Sequence, residues 1–410
     1  MQRDTNKQKN MAAASGNEPR AQLLRTDRPL EDSVANENRR KTRAFLRFAL
    51  GASAEAPQGM EERDWKRLYR FGWVHAILGV VFDGMNRLQG MGAELPEDIV
   101  EKTVTTAMSI EKRNKKVNRA AVGLVCQLEA DGFRCCLLKG QGNNLLYPHV
   151  YSRMPGDIDI WVTGPDGAPV DIPSVIRYAR SHTPGARAVY HHIDYGCYEG
   201  VDVELHYRPS FMTNPVHNRR LQQWFVAQAA VQCAHRVELP GDAGSVPVPT
   251  LEFNAVYQLA HIYTHLLNKG FGMRHVIDYY YVLMALTDRS AVRDTLKKLG
   301  MERIAGAMMW VLRDLFDLPE DRMVATPDKR TGRALLKDVL RSGNFGRKTR
   351  EKGPAPEAKS RRMWQLRLKM NYRRLQRDLR MLRYFPSECL CEPVFRLYHF
   401  FWRLIVGRNF

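Results

Sequence analysis

With 410 residues and a hydrophobic share of 44%, the chain can hold more than one compact unit and a sizeable core. No apolar run approaches the ~20 residues that a spanning helix needs, so a membrane-embedded bundle is excluded. A formal charge of +19 implies anionic company: nucleotide, nucleic acid or an anionic membrane surface.

Seven cysteines form an odd set without a paired C-x-x-C site, which fits reduced thiols and neither a disulfide framework nor a cysteine zinc site. The opening MQRDTNKQKN lacks the apolar stretch of a secretory signal, and a cytoplasmic protein is expected, peripheral at the inner membrane at most. Residues 1–36 are polar and aperiodic and are expected to be disordered. A helical region is expected over 37–131. Its first helix, over 38–50, presents Phe45, Leu46 and Phe48 near one face. One long helix or two follow over 64–89, with Trp65, Leu68, Trp73 and Ile77 at helical spacing. His75 there reads more readily as a satisfied helix histidine than as a ligand. A third long helix, 98–131, ends before Gly132.

The segment 132–209 carries the chemistry. Cys135 to Leu138 is a short apolar run before a glycine, which reads as a buried strand. Lys139-Gly140-Gln141-Gly142 is a tight turn whose backbone N–H groups can face an anion, followed by one helical turn over 143–147. The run DIDIWV at 157–162 alternates as a strand. Ile158, Ile160 and Val162 point to a core, and Asp157 and Asp159 project together on the other face. Two carboxylates so placed repel each other unless a cation lies between them, and their hard oxygens suit a divalent ion; the plainer alternative is a pair of solvated aspartates. A helix is expected over 172–181, then a hairpin of strands 188–197 and 201–207 about Glu199-Gly200. On the second strand Asp202, Glu204 and His206 share one face, repeating the logic of Asp157 and Asp159. On the first, regular alternation would send His191 and His192 to opposite faces, so that both could not readily bind one metal.

Residues 210–342 are expected to be a helical domain. His261 and His265, four apart on the helix 252–268, share a face, as a metal pair or in a phosphate-binding or structural role. Arg274 is four residues before Asp278 and either holds a phosphate or pairs with that aspartate. Residues 343–360 read as a linker. The tail 361–410 is basic and then aromatic, with FRLYHFFWRLIV at 395–406 read as a helix ended by Gly407. Such a tail can lie on an anionic membrane, hold nucleic acid, or pack on the rest of the chain with its arginines reaching outward.

The string KG…YP…R…GDIDIWV, with Glu204, His206, Tyr207 and Arg208 on the later strand, resembles the DNA polymerase β-type nucleotidyltransferase superfamily, most closely a bacterial group of uncharacterised nucleotidyltransferases. That resemblance implies an α+β fold with a small mixed sheet and flanking helices. It also implies Mg²⁺ or Mn²⁺ held by Asp157, Asp159 and Glu204, with Asp202 as the reserve carboxylate. A nucleoside triphosphate would sit at Lys139, Gly140, Gln141 and Gly142, with Arg153 and Arg274 as phosphate contacts, though Arg153 reads equally as a solvent-exposed loop arginine. The implied reaction moves a nucleoside monophosphate to a hydroxyl on an unnamed acceptor and releases pyrophosphate. Rival readings are an idle scaffold with this fold, a protein acting through its basic tail, and a kinase moving the γ-phosphate. The serine common after the turn glycine is replaced by Gln141.

Overall fold

The computed structural model describes residues 36–268, 270–344 and 361–409. The expected disordered start and most of the expected linker lie outside the described residues. Helix α1 spans 36–49 and buries Phe45, Leu46 and Phe48 completely. The 64–89 pattern resolves into two helices, α2 (Glu62–His75) and α3 (Leu78–Gly90). The break is Ala76 in the left-handed region, at φ 57°, which lets the chain turn back on itself. Trp73, counted with the apolar stripe, is 52% exposed. Helix α4 (Glu97–Ala130) runs under the sheet. It closes where Gly132, at φ 89°, lets Phe133 N–H reach back to Leu128 O at 2.9 Å.

The expected core elements follow: β1 (Arg134–Leu138), α5 (Gly140–Asn144), β2 (Ile158–Thr163), α6 (Ile172–His182), β3 (His192–Tyr198) and β4 (Val201–His206). The helical turn therefore starts at Gly140, not at Asn143. The four strands lie in the order β1-β2-β4-β3, with β2 parallel to β4 and the other two pairs antiparallel. This is the small mixed sheet of an α+β protein. The β3–β4 turn is made by Glu199 and Gly200 at φ 48° and 72°, the paired left-handed residues a two-residue hairpin needs.

One face of the sheet is apolar: Ile158, Ile160, Val162, Val201, Val203 and Leu205 pack with Ala121, Leu124 and Leu128 of α4 and with Val175 and Ile176 of α6. The other face begins apolar, at Cys136, Leu138 and Trp161, and becomes polar toward Asp159, Glu204 and His206. Helix α7 (Pro215–Ala234), a hairpin of β5 (Arg236–Leu239) and β6 (Gly244–Pro247), and helix α8 (Leu251–Leu267) come next. The hairpin lies inside the stretch expected to be helical. On the polar face Trp161 stacks on Phe253 of α8 at 5.8 Å, and Phe253 on Trp224 of α7 at 4.9 Å. That stack fixes α8 across the sheet. Its stripe Phe253, Tyr257, His261, His265 then runs, by one residue every helical turn, from the core to the polar end.

Helices α9 (Met273–Ala285), α10 (Arg289–Lys298), α11 (Glu302–Phe316) and α12 (Lys329–Ser342) complete the helical mass. His75 at the end of α2 accepts from the Met273 N–H at 3.2 Å, so it is the satisfied histidine the sequence suggests. The tail forms α13 (Arg361–Leu382) and α14 (Pro386–Asn409). Helix α14 starts nine residues earlier than expected and runs through Gly407 instead of stopping there. It is anchored on the domain by Glu388, which is buried and accepts from the N–H groups of Thr213 and Asn214 at 2.7 and 2.9 Å, with His217 Nδ1 at 2.9 Å.

Candidate functional site

The site lies at the polar end of the sheet, in a cleft between β2 and helices α8 and α9, rimmed by Lys139, Asp157, Asp159, His261 and Arg274. Asp157, just before β2, and Asp159 within it both line the cleft, and the β2–β4 register sets Glu204 directly beside Asp159. The two aspartates have opposite surroundings. Asp159 is 6% exposed; Lys139 Nζ lies 3.0 Å from its Oδ2, and His206 Nε2 lies 3.0 Å from its Oδ1. Burial alone would raise its carboxyl, but Lys139 and His206 hold it far below the usual carboxylate range. Asp157 sits at the mouth, open to solvent yet walled by protein on most sides. Repulsion from Asp159, together with desolvation, pushes it up to about 6, with Lys139 only partly opposing.

His206 links Asp159 to Glu204, whose Oε2 is 3.4 Å from the same Nε2. Burial would lower this histidine, but hydrogen bonds to the two carboxylates hold it at about 9. Burial likewise pulls Glu204 upward, and His206 and His192 bring it below its ordinary value, so it is an anion at neutral pH. Asp202, two residues earlier on that face, is exposed and away from the cleft.

Lys139 holds its ammonium here through a costly backbone, φ 53° and ψ −135°, a region that residues with a Cβ rarely adopt. Its Nζ also reaches His261 Nε2 at 3.3 Å. Of the expected phosphate turn, Gly140 faces open space, so a ligand can approach its backbone. Gln141 and Gly142 do not face the cleft. The Gln141 amide is buried and donates to Asn114, at 3.3 Å, and to Asn118 of α4. A Cβ on Gly142 would meet Val248 at 3.1 Å. The cause is the early start of α5, which rotates both residues into the core.

Arg153 is not a solvent-exposed loop arginine. It is 5% exposed and clamped on Asp278 of α9 by two hydrogen bonds, 2.8 and 2.9 Å, while Tyr147 donates to the same carboxylate at 2.7 Å. Asp278 is thus the ion-pair partner of Arg153, and its charge also acts on Arg274. The Arg274 guanidinium, whose Nη1 donates to Met154 O at 2.9 Å, is lowered to about 10 by burial and by the nearby Arg153.

Sequence reasoning missed the histidine shell. His261, His265 and His275 cluster beside Lys139, with ring centroids 4.3 to 6.1 Å apart. Burial, then Lys139, lowers His261 well below its usual value and keeps it neutral. The shared face of His261 and His265 was visible in their spacing, but the arrival of His275 from the next helix was not. His191 and His192 also depart from expectation. Strand β3 begins only at His192, the backbone before it is irregular, and the two rings lie against each other at 4.4 Å.

The all-oxygen pair Asp157 and Asp159 fits a hard divalent cation, because the strain on Asp157 is what a bound cation relieves. The Tyr257 hydroxyl, buried without a hydrogen-bond partner and close enough to be shifted by Asp159, is a second unsatisfied group at this place.

A basic cleft with carboxylates at one end of the two inner strands offers groups that could hold a cation or an anionic ligand. Residues 61–317, more than half of the chain, match the family described as uncharacterised nucleotidyltransferases, and the chain belongs to that family. Its members are transferases of the nucleotidyl class. No curated protein matches the sequence significantly. Among solved structures, an antigenic nucleotidyltransferase-like protein from Paracoccidioides brasiliensis matches 50% of this chain and 93% of its own at 13% identity and a TM-score of 0.28, too loose a likeness to argue from. No helix among the described residues is long and apolar enough to cross a membrane.

Proposed function

We propose that this protein moves a nucleoside monophosphate from a nucleoside triphosphate to an acceptor hydroxyl, releasing pyrophosphate, on a core of the polymerase β type. The observation that carries the reading is Asp157 and Asp159 together in a cleft with Lys139 and Arg274, with Glu204 in register beside Asp159. Asp157, Asp159 and Glu204 would hold Mg²⁺ or Mn²⁺, which when bound neutralises charge on the entering and leaving oxygens of phosphoryl transfer. Lys139 would exchange its contact with Asp159 for one with the triphosphate, and the Gly140 backbone and Arg274 would grip the remaining phosphates. Gln141 and Gly142 would contribute backbone position only, and Arg153 would orient the wall through Asp278 instead of touching phosphate. As the alternative to holding metal, Glu204, ionised at neutral pH, would take the proton of the acceptor hydroxyl.

The test is product analysis after incubation with each triphosphate, Mg²⁺ and a pool of hydroxyl acceptors. Pyrophosphate release is expected. Asp157→Asn should reduce it by about 10³-fold, since metal-borne charge stabilisation is worth several kcal/mol. Full turnover in that variant would sink the reading, and release of nucleoside diphosphate would make the protein a kinase.

A second reading concerns the tail. Helix α14 is docked by Glu388 and by Phe395 and Trp402 on the domain, yet Leu390, Val394, Leu397, Phe401 and Ile405 form an outward stripe 51 to 70% exposed. With the exposed Arg373 and Arg380 of α13, and Arg383 in the turn after it, that face suits an anionic membrane surface. Sedimentation with phosphatidylserine vesicles should capture the protein, and Leu397→Glu with Phe401→Glu should release it. Retention on RNA but not on vesicles would overturn the membrane reading.

A further inference from the structure

The histidine side of Asp159 holds groups that the nucleotidyl reading leaves unused. His191 and His192 arrive from the irregular entry to β3, and His206 from β4. The ligating nitrogens of His191, His192 and His206 all lie within 4.8 Å of one another. His191 Nε2 is 3.0 Å from His192 Nδ1; Glu204 Oε2 is 3.3 Å from His192 Nδ1 and 3.4 Å from His206 Nε2.

A tetrahedral ion with bonds of about 2.0–2.1 Å requires ligand atoms about 3.3 Å apart, the value of its edges. The 3.0 Å between His191 Nε2 and His192 Nδ1 is close to that edge. The three ring centroids lie 4.4, 5.0 and 5.5 Å from one another. We propose that His191, His192 and His206 form a three-imidazole site, its fourth position left to water, for a borderline-soft divalent transition ion of the Zn²⁺ class, beside and distinct from the hard-cation site at Asp157 and Asp159.

The donor set itself separates the two sites. Three imidazoles suit Zn²⁺ and its neighbours in the transition series, whereas Mg²⁺ seeks oxygen. Asp194 lies 3.5 Å from His192 Nε2, on the far side of that ring from its Nδ1. It is therefore placed to orient His192 as carboxylates orient metal-bound imidazoles. Asp159, bonded to His206, is the hinge between the sites: an ion on His206 Nε2 must share that atom's direction with Asp159 or displace it. The claim concerns metal binding alone and does not depend on nucleotidyl transfer being correct.

The test uses the full chain, stripped with chelator and titrated with Zn²⁺ by calorimetry and with Co²⁺ by visible absorption. One equivalent of Zn²⁺ and the intense visible bands of four-coordinate Co²⁺ are expected. His192→Ala and His191→Ala should each weaken Zn²⁺ binding by more than about 100-fold, and Asp194→Asn by about 10-fold, the range seen when the supports of metal ligands are removed. Asp157→Asn should leave the Zn²⁺ affinity as it is. Circular dichroism and thermal unfolding check that each variant is folded; using both histidines keeps the test decisive if one variant is not. Absence of stoichiometric binding would overturn the proposal. So would equal affinity in folded His191→Ala and His192→Ala, or loss of binding in Asp157→Asn, which would place the ion on the acid pair instead.

Discussion

The two walls of the cleft use the same side chains to opposite ends. On the helical wall, Asp278 is buried and saturated, with Arg153 bidentate on its oxygens and Tyr147 donating a third hydrogen bond. On the sheet wall, Asp157 and Asp159 stand together, and the cations Lys139 and His206 both sit on Asp159. An acid that the fold has neutralised holds the structure together. An acid that the fold has left unbalanced is set against stability, and its benefit must come from something that binds.

This contrast predicts substitutions of opposite sign. The largest effect belongs to the helical wall: Asp278→Ala leaves the Arg153 guanidinium buried without its counter-ion and should cost about 3–5 kcal/mol, read from the denaturation midpoint. An unchanged midpoint would show that the clamp is ornamental. The next effect lies at His206, which joins the sheet wall to the histidine shell. Its folded value, about 9, is above that of a histidine in the unfolded chain, so the stability it brings is complete below about pH 6.5 and is lost as pH rises through 9. On the order of 2–3 kcal/mol should disappear across that window, and His206→Gln should flatten the profile. A wild-type Tm independent of pH from 6.5 to 9.5 would contradict the geometry.

The smallest effect is the most diagnostic. Asp157 titrates at about 6, above its unfolded value, so its ionisation destabilises the metal-free protein progressively as pH rises from about 4 through 6. Because the carboxyl is at the mouth and partly screened, Asp157→Asn should stabilise the metal-free chain at pH 7 by only about 1 kcal/mol. Added Mg²⁺ should then raise the Tm of the wild type and leave that of Asp157→Asn nearly unmoved. A variant less stable than its parent, or one that Mg²⁺ stabilises equally, would erase the difference between the walls.

What the sequence made legible was whatever follows a short period. Alternation along 158–163 and 201–206 suffices to put Asp159 on one face with Glu204 and His206 on a matching one, because a strand admits only two faces. The orientation of Gln141 and Gly142 was not legible. It depends on whether α5 starts at Gly140 or three residues later, and no periodicity can be read in five residues. His191 and His192 were assigned to opposite faces for the same reason in reverse, since the rule holds only inside a regular strand and β3 begins between them. Helix α7 has a narrow stripe, Leu221, Phe225 and Ala229, blurred by exposed Val216, Val226 and Val231. The Arg153 clamp and the Lys139–His261 contact join residues 125 and 122 positions apart, a relation set by the packing of α8 and α9 and by nothing local.

The main chain at Lys139 has a consequence for engineering. Its positive φ is a conformation that glycine adopts freely and lysine does not, a difference of about 1–3 kcal/mol. Lys139→Gly would relax the bend while stripping the cleft of the cation that faces Asp159. A selection for heat resistance and a selection for turnover would therefore choose different residues at this one position.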